Sequence, residues 1–426
     1  MASLRCTPLT FLLTGFVWLL LSSLLGIATL IGLVNGTPLP AWLKSIHVHG
    51  ALVGGLLQLA IGGFLASLSQ SIEQKQTYST SRPGFFVSFN GATIALLVGQ
   101  WLGNMTLVGL AGLVLIGTVL TLVKTAWLHV HEDRNVPAGA GWIYRTAIIA
   151  LVAGLAIGVV RAFRLLPEYY AHERLLHLHL VTLGFFTVTL VVAAHQILPA
   201  LLRKAPIDLP HMRLALWSLP IGFAALLCGF VTSSLRVELA VGGLLVLGVG
   251  LCTYNLIGIW VRSGLPGNAA SDHLLIGIFF LLLTTAAGVA MAANYLPSPP
   301  ILPIGSLHLV AYTHLAFIGF MVQGMCGTLS YGLPIILAAS RVPNTKKRAH
   351  YQEQLEAIMN RWRTVQMGAM SLGTMGLAVL AALVWSAPLG SSYVLGTVWI
   401  SAGLLLAGLT LFAAKLSWVV GVQPVP

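Results

Sequence analysis

Charge is scarce in this chain. Of 426 residues only 8% are Asp, Glu, Lys or Arg, against 57% hydrophobic. A soluble globule of that length needs more polar surface, so the composition excludes one and implies an integral membrane protein. Acids are scarcer still: Glu73, Glu132, Asp133, Glu168, Glu173, Asp208, Glu238, Asp272, Glu353 and Glu356 are the ten, and none falls in the middle of an apolar run. Proton pumps and proton-coupled transporters usually hold carboxylates at mid-membrane, so pumping through a buried carboxylate is disfavoured. Cysteine is equally sparse. Cys6, Cys228, Cys252 and Cys326 form no CxxC, CxxCH or clustered pattern, which leaves disulfides, zinc knuckles and covalent heme without support and buried apolar thiols as the better reading.

What the chain has in abundance is long apolar runs. Stretches near 10–34, 44–68, 84–102, 104–127, 142–161, 173–201, 212–232, 236–261, 272–293, 305–338, 364–388 and 393–419 each approach or exceed the roughly 20 residues that cross a bilayer. The expected fold is therefore all-α and polytopic: a single integral membrane domain over 1–426 with twelve transmembrane helices in three pseudo-repeated sets of four, near 10–127, 142–261 and 272–419. Arg5 precedes the first run without a clear small-residue cleavage site, so that run is expected to be a retained span. With a cytoplasmic N-terminus, seventeen of the 22 Lys and Arg fall inside. The outer five are Lys44, Arg161, Arg164, Arg174 and Arg236. That asymmetry places both termini in the cytoplasm. The net charge of +12 is then mostly topological, and no nucleic-acid partner is expected. The one sizeable hydrophilic insertion, 341–366, is expected to be a short cytoplasmic amphipathic helix lying on headgroups or a partner. NYLPSPPILP, around Pro297 to Pro303, suits a rigid cap on the outer face.

One frame occurs three times. Setting His49, His179 and His314 equivalent puts a glycine five residues later each time, at Gly54, Gly184 and Gly319, while the position two residues earlier reads His47, His177 and Tyr312. The anchors are 130 and 135 residues apart by their numbers, the mark of a repeated unit. Alternation of spans sets the three anchors in the first turns of spans two, six and ten, at one depth on the outer side. Residues two apart on a helix point about 200° apart, so the anchors share one face and His47, His177 and Tyr312 the opposite one. His308 falls on the Tyr312 face, and His195 on the His177 face but deeper. Three intramembrane imidazoles in register point to cofactor ligation, since neutral imidazole binds heme iron and copper. The bland alternative is histidine as an interfacial residue bonded to backbone or water. The glycines read most simply as sites of close helix approach. His129 and His131 suit a solvated loop start, and His211, His273 and His350 read as interfacial. Glu168, His172 and Glu173 could pass a proton to the cofactor level or be solvated. Gln58, Asn90, Gln100, Asn255 and Gln323 could line a water path or join helices.

Twelve spans in three sets of four, with histidines opening spans two, six and ten, resemble the catalytic subunit of the heme–copper oxidase superfamily. The flavour is that of bacterial high-affinity cytochrome oxidases, nitric oxide reductases and the divergent heme and copper membrane proteins of the nitrosative-stress response. The resemblance covers nearly the whole chain as architecture, through short motifs. It implies a low-spin heme b held by His49 (or His47) and His314, and a high-spin heme whose ligand position falls at Tyr312, with His308 a substitute on the same face. It also implies copper at His177 or His179. Here the chain departs from the family, because MRLALWSLPIGFAALLCGFV has no histidine after His211 and the copper triad is incomplete. The implied function is a respiratory membrane protein of the bacterial inner membrane that carries electrons or handles O2 or NO. Its expected partners are other respiratory-complex subunits and a cytochrome or quinol donor; terminal-oxidase or nitric oxide reductase activity would need unorthodox ligands. The rival is a histidine-containing transporter or a cofactor-free structural subunit.

Overall fold

The computed structural model describes residues 7–72, 83–130, 140–166, 172–202, 210–264 and 266–424, and among these it contains helices and turns but no strand. Thirteen continuous helices follow one another: α1 (Pro8–Val34), α2 (41–72), α3 (Pro83–Trp101), α4 (Met105–Val130), α5 (Ala140–Ala162), α6 (Glu173–Leu201) and α7 (Pro210–Val231). Then come α8 (Leu235–Ser263), α9 (Ala269–Asn294), α10 (Ser306–Arg341), α11 (Thr345–Asn360), α12 (Arg363–Leu383) and α13 (Ser392–Gly421). All but α11 contain a stretch long and apolar enough to cross a membrane. The chain is an all-α polytopic membrane protein, and its twelve candidate spans are those read from hydropathy. Of the Lys and Arg assigned inside, Arg5, Lys75, Arg82, Arg134, Arg203 and Lys204 fall outside the described residues.

Local sequence explains where the helices stop and start. Asn268 accepts the Ser271 N–H, Asn344 those of Lys346 and Lys347, and Ser391 that of Val394. These side chains satisfy amide groups that a helix start leaves without a carbonyl. Gly264 ends α8 at φ 63°, a left-handed conformation in which any other residue's Cβ would be strained.

Two compact units make up the chain. The first comprises residues 1–33, 37–181 and 339–343, the second 34–36, 182–338 and 344–426. The boundary runs through α6 just past His179. In the first unit α3 and α4 form an antiparallel pair across a tight turn, and α5 packs on α4. In the second, α7 with α8 and α12 with α13 form the same kind of pair, and α9 packs on α8. Asn294 pins the proline-rich loop by accepting the Leu302 N–H at 2.6 Å and donating to its carbonyl at 3.0 Å. Arg363 ties the starts of α12 and α9 together through Asp272 at 3.3 Å and the Gly267 carbonyl.

The hydrophilic insertion is helical, as expected, but its apolar stripe meets neither headgroups nor a partner. Tyr351, Leu355 and Met359, spaced four apart, are buried, and α11 packs on α13 of its own chain. The Tyr351 hydroxyl donates to the Val422 carbonyl at 2.7 Å. Tyr351→Phe keeps the ring and removes that bond, so a thermal melt in detergent should show a loss of about 1 kcal/mol.

Candidate functional site

Each of the three anchor histidines stands at the same backbone feature. Eight residues of π-helix run over Gly50–Leu57, Leu180–Thr187 and Leu315–Val322, each beginning one residue after its anchor. The π-helix is rare, and where it interrupts an α-helix it is frequently at a functional site. Three long copies at equivalent positions extend the repeat from sequence to backbone.

The imidazoles are held alike. His49 Nδ1 lies 2.9 Å from the Ser45 carbonyl, His179 Nδ1 2.8 Å from that of Leu175, and His314 Nδ1 2.7 Å from that of Val310, always four residues back. A carbonyl oxygen can only accept, so each Nδ1 carries the proton and each lone pair resides on Nε2. Gln100 Nε2 is also 3.0 Å from His49 Nδ1, while Gln100 Oε1 has no partner. An Nδ1–H cannot accept from an amide, so the Gln100 amide is turned the other way and its oxygen shares that proton.

The residues two positions earlier do something else. His47 Nδ1 lies 2.7 Å from the Ser22 carbonyl and its ring covers Gly26, where a Cβ would sit 2.6 Å from Cε1. His177 Nδ1 lies 2.8 Å from the Gly154 carbonyl and its ring covers Gly158, where a Cβ would sit 2.9 Å from Cε1. Both pairs are four apart on the preceding helix, α1 or α5. Tyr312 repeats the arrangement on α9: its hydroxyl is 3.1 Å from where a Cβ of Gly288 would be. All three side chains therefore serve the joint between the first two helices of their set.

The repeated glycines belong to that joint too. A Cβ on Gly54 would meet Trp18 at 2.7 Å, and one on Gly319 would meet Phe280 at 2.6 Å. Trp18 precedes Gly26 by eight residues, as Phe280 precedes Gly288. Further along, Gly62 covers Leu12, and Gly327 covers Leu274, again in equivalent places. The α1–α2 and α9–α10 pairs thus pack residue for residue in the same way.

No family model matches the chain, and no curated protein matches it significantly.

His308 Nδ1 accepts the Gly305 N–H at 3.0 Å at the start of α10, and its ring lies 4.7 Å from that of Trp385. Its Nε2 is buried and unpartnered. His195 is buried on α6 with Nδ1 2.8 Å from the Val191 carbonyl. The π segment between it and His177 breaks the α-helical phase that put them on one face. Glu173 pairs with Arg161 at 3.0 Å. His350 is exposed. His131 and Glu168 fall outside the described residues, as do the side chains of His129 and His211. Among the described residues, no three His, Cys, Asp or Glu side chains gather as a metal-binding group.

His273, expected to be interfacial, is instead fully buried within a chain of polar groups in the second unit. Lys415, a residue only 2% exposed, donates from Nζ to Gln366 Oε1 at 2.6 Å and to the Met359 carbonyl at 3.1 Å. Gln366 Nε2 donates to His273 Nε2 at 3.1 Å, His273 Nδ1 donates to Gln323 Oε1, and Gln323 Nε2 donates to Ser371 Oγ at 3.2 Å. Every donor in this sequence meets an acceptor, so the five side chains form one directed network across α9, α10, α12 and α13. The equivalent of Gln323 in the first set, Gln58, is fully buried with neither amide atom partnered.

Proposed function

We propose that this chain is a heme-carrying membrane subunit of the heme–copper oxidase type, which passes electrons or handles a diatomic gas in a respiratory assembly. The observation that carries the reading is the shared state of His49, His179 and His314. Each is locked by its own helix into the tautomer whose Nε2 can bind a metal, and backbone bonds of this kind orient and strengthen histidine ligands. The donor set fits a b-type heme: two neutral imidazoles are what a low-spin iron takes. The resemblance assigns its ligation to His49 and His314, and the group would supply reversible one-electron chemistry. His47 and Tyr312, engaged with the preceding helix, are packing residues in this reading. Copper, if held, would fall to His179, since His177 is turned to α5. A cytochrome or quinol donor, the bacterial inner membrane and cytoplasmic termini belong to the same proposal.

Reduced-minus-oxidised spectra of the detergent-solubilised protein should show b-type bands. His49→Ala and His314→Ala should abolish the low-spin signal, whereas His47→Ala should leave it in place. A colourless wild type with sub-stoichiometric iron would favour the transporter or structural subunit instead.

A further inference from the structure

We propose that the corner between α11 and α13 is a binding site for an anionic phospholipid, its phosphate held by Arg361. A groove of about 530 Å³ opens there, lined by Ala357, Ile358, Asn360, Arg361 and Trp418. Arg361 is exposed, and its guanidinium carbon stands 4.5 Å from the ring centre of Trp362 and 5.1 Å from that of Trp418. Two indole faces fix the cation while leaving N–H edges for a bidentate acceptor such as a phosphodiester. No carboxylate among the described residues pairs with it.

Two further observations select a lipid over a soluble anion. The first is charge. The 341–366 stretch carries Arg341, Lys346, Lys347, Arg348, Arg361 and Arg363 against Glu353 and Glu356, and basic clusters beside a span attract anionic headgroups. The second is the apolar surface next to the cation. Trp362 is 53%, Val365 66% and Trp418 43% exposed, on or beside helices that cross the membrane and where α11 meets its boundary. Acyl chains cover such side chains, and water does not. The left-handed backbone at Trp362, φ 52°, turns the chain sharply between α11 and α12 and sets that indole beside Arg361.

The test is native mass spectrometry of the full-length, delipidated protein titrated separately with phosphatidylglycerol and phosphatidylcholine. The first phosphatidylglycerol should bind more tightly than the first phosphatidylcholine. Arg361→Gln should weaken it by about five-fold, the contribution of one basic residue at a membrane surface, and leave phosphatidylcholine unchanged. Trp418→Leu, which keeps the charge but removes one flanking ring, should give a smaller loss with the same selectivity. Equal binding of the two lipids, an unaltered preference in Arg361→Gln, or displacement of the phosphatidylglycerol by millimolar inorganic phosphate would each overturn the proposal. Melting curves that match the wild type would confirm that both variants are folded.

Discussion

Gln366→Leu is expected to lower the thermal stability of the purified protein by about 3–5 kcal/mol, the usual cost of removing one partner from a buried charge. The side chain is 1% exposed and sits between two titratable groups. Its oxygen is the short acceptor for Lys415 and its nitrogen the donor to His273. Leucine fills the space but leaves an ammonium with the Met359 carbonyl as its remaining partner and an imidazole nitrogen with none. Lys415→Met should cost less, about 1–3 kcal/mol, because it removes the charge and leaves neutral acceptors unpaired. The order of the two melting points is the informative quantity. If Lys415→Met proves the worse variant, the ammonium is not the group the network exists to satisfy.

Gly319→Ala is the second large effect. One methyl group there would lie 2.6 Å from Phe280 Cδ1 and Cγ and 2.9 Å from its Cβ, atoms close to the α9 backbone that cannot swing aside. Overpacking of this kind costs about 1–3 kcal/mol. Phe280→Ala alone leaves a cavity and should cost about 3–5 kcal/mol. Combined, the two changes should cost less than their sum, since the alanine at 319 grows into the space the ring vacated. The parallel cycle of Gly54→Ala with Trp18→Ala should show coupling of the same sign, because those residues hold the equivalent places on α1 and α2. Additive losses in either cycle would mean that the glycine does not admit the aromatic ring as described.

The spans were legible because apolar length is a one-dimensional property. Each of the twelve runs announces its own helix, and the short turns around Gly103 and Ser233 separate neighbours cleanly. The anchors were legible for a different reason: His49, His179 and His314 recur with their glycines at a fixed distance. Which way a side chain points was not. Counting 100° per residue assumes an unbroken α-helix, and the π segment Leu180–Thr187 lies between His177 and His195, where that count was carried furthest. Nothing in GALVGGLL, LVTLGFFT or LAFIGFMV, apolar and without proline, betrays a wider turn. His273 was expected at the interface because of its position, and nothing local in the sequence shows that Lys415 is buried with it. Both lie near helix ends, where histidine and lysine normally meet water, and only the convergence of four helices buries them. Their partners Gln323 and Gln366 come from distant parts of the chain, so no local pattern could pair them. The α11 helix was placed correctly in sequence but not in space, because an amphipathic stripe shows that something covers it without showing what.

The three π segments also say something about ancestry. A widened turn of this sort is most simply made by inserting one residue into an α-helix, and an insertion is kept only where its surroundings tolerate the bulge. Eight-residue segments that each start one residue past the anchor would require the same accident three times over had they arisen separately. The economical history is a four-helix forebear that already carried the inserted residue beside its histidine and was then copied twice.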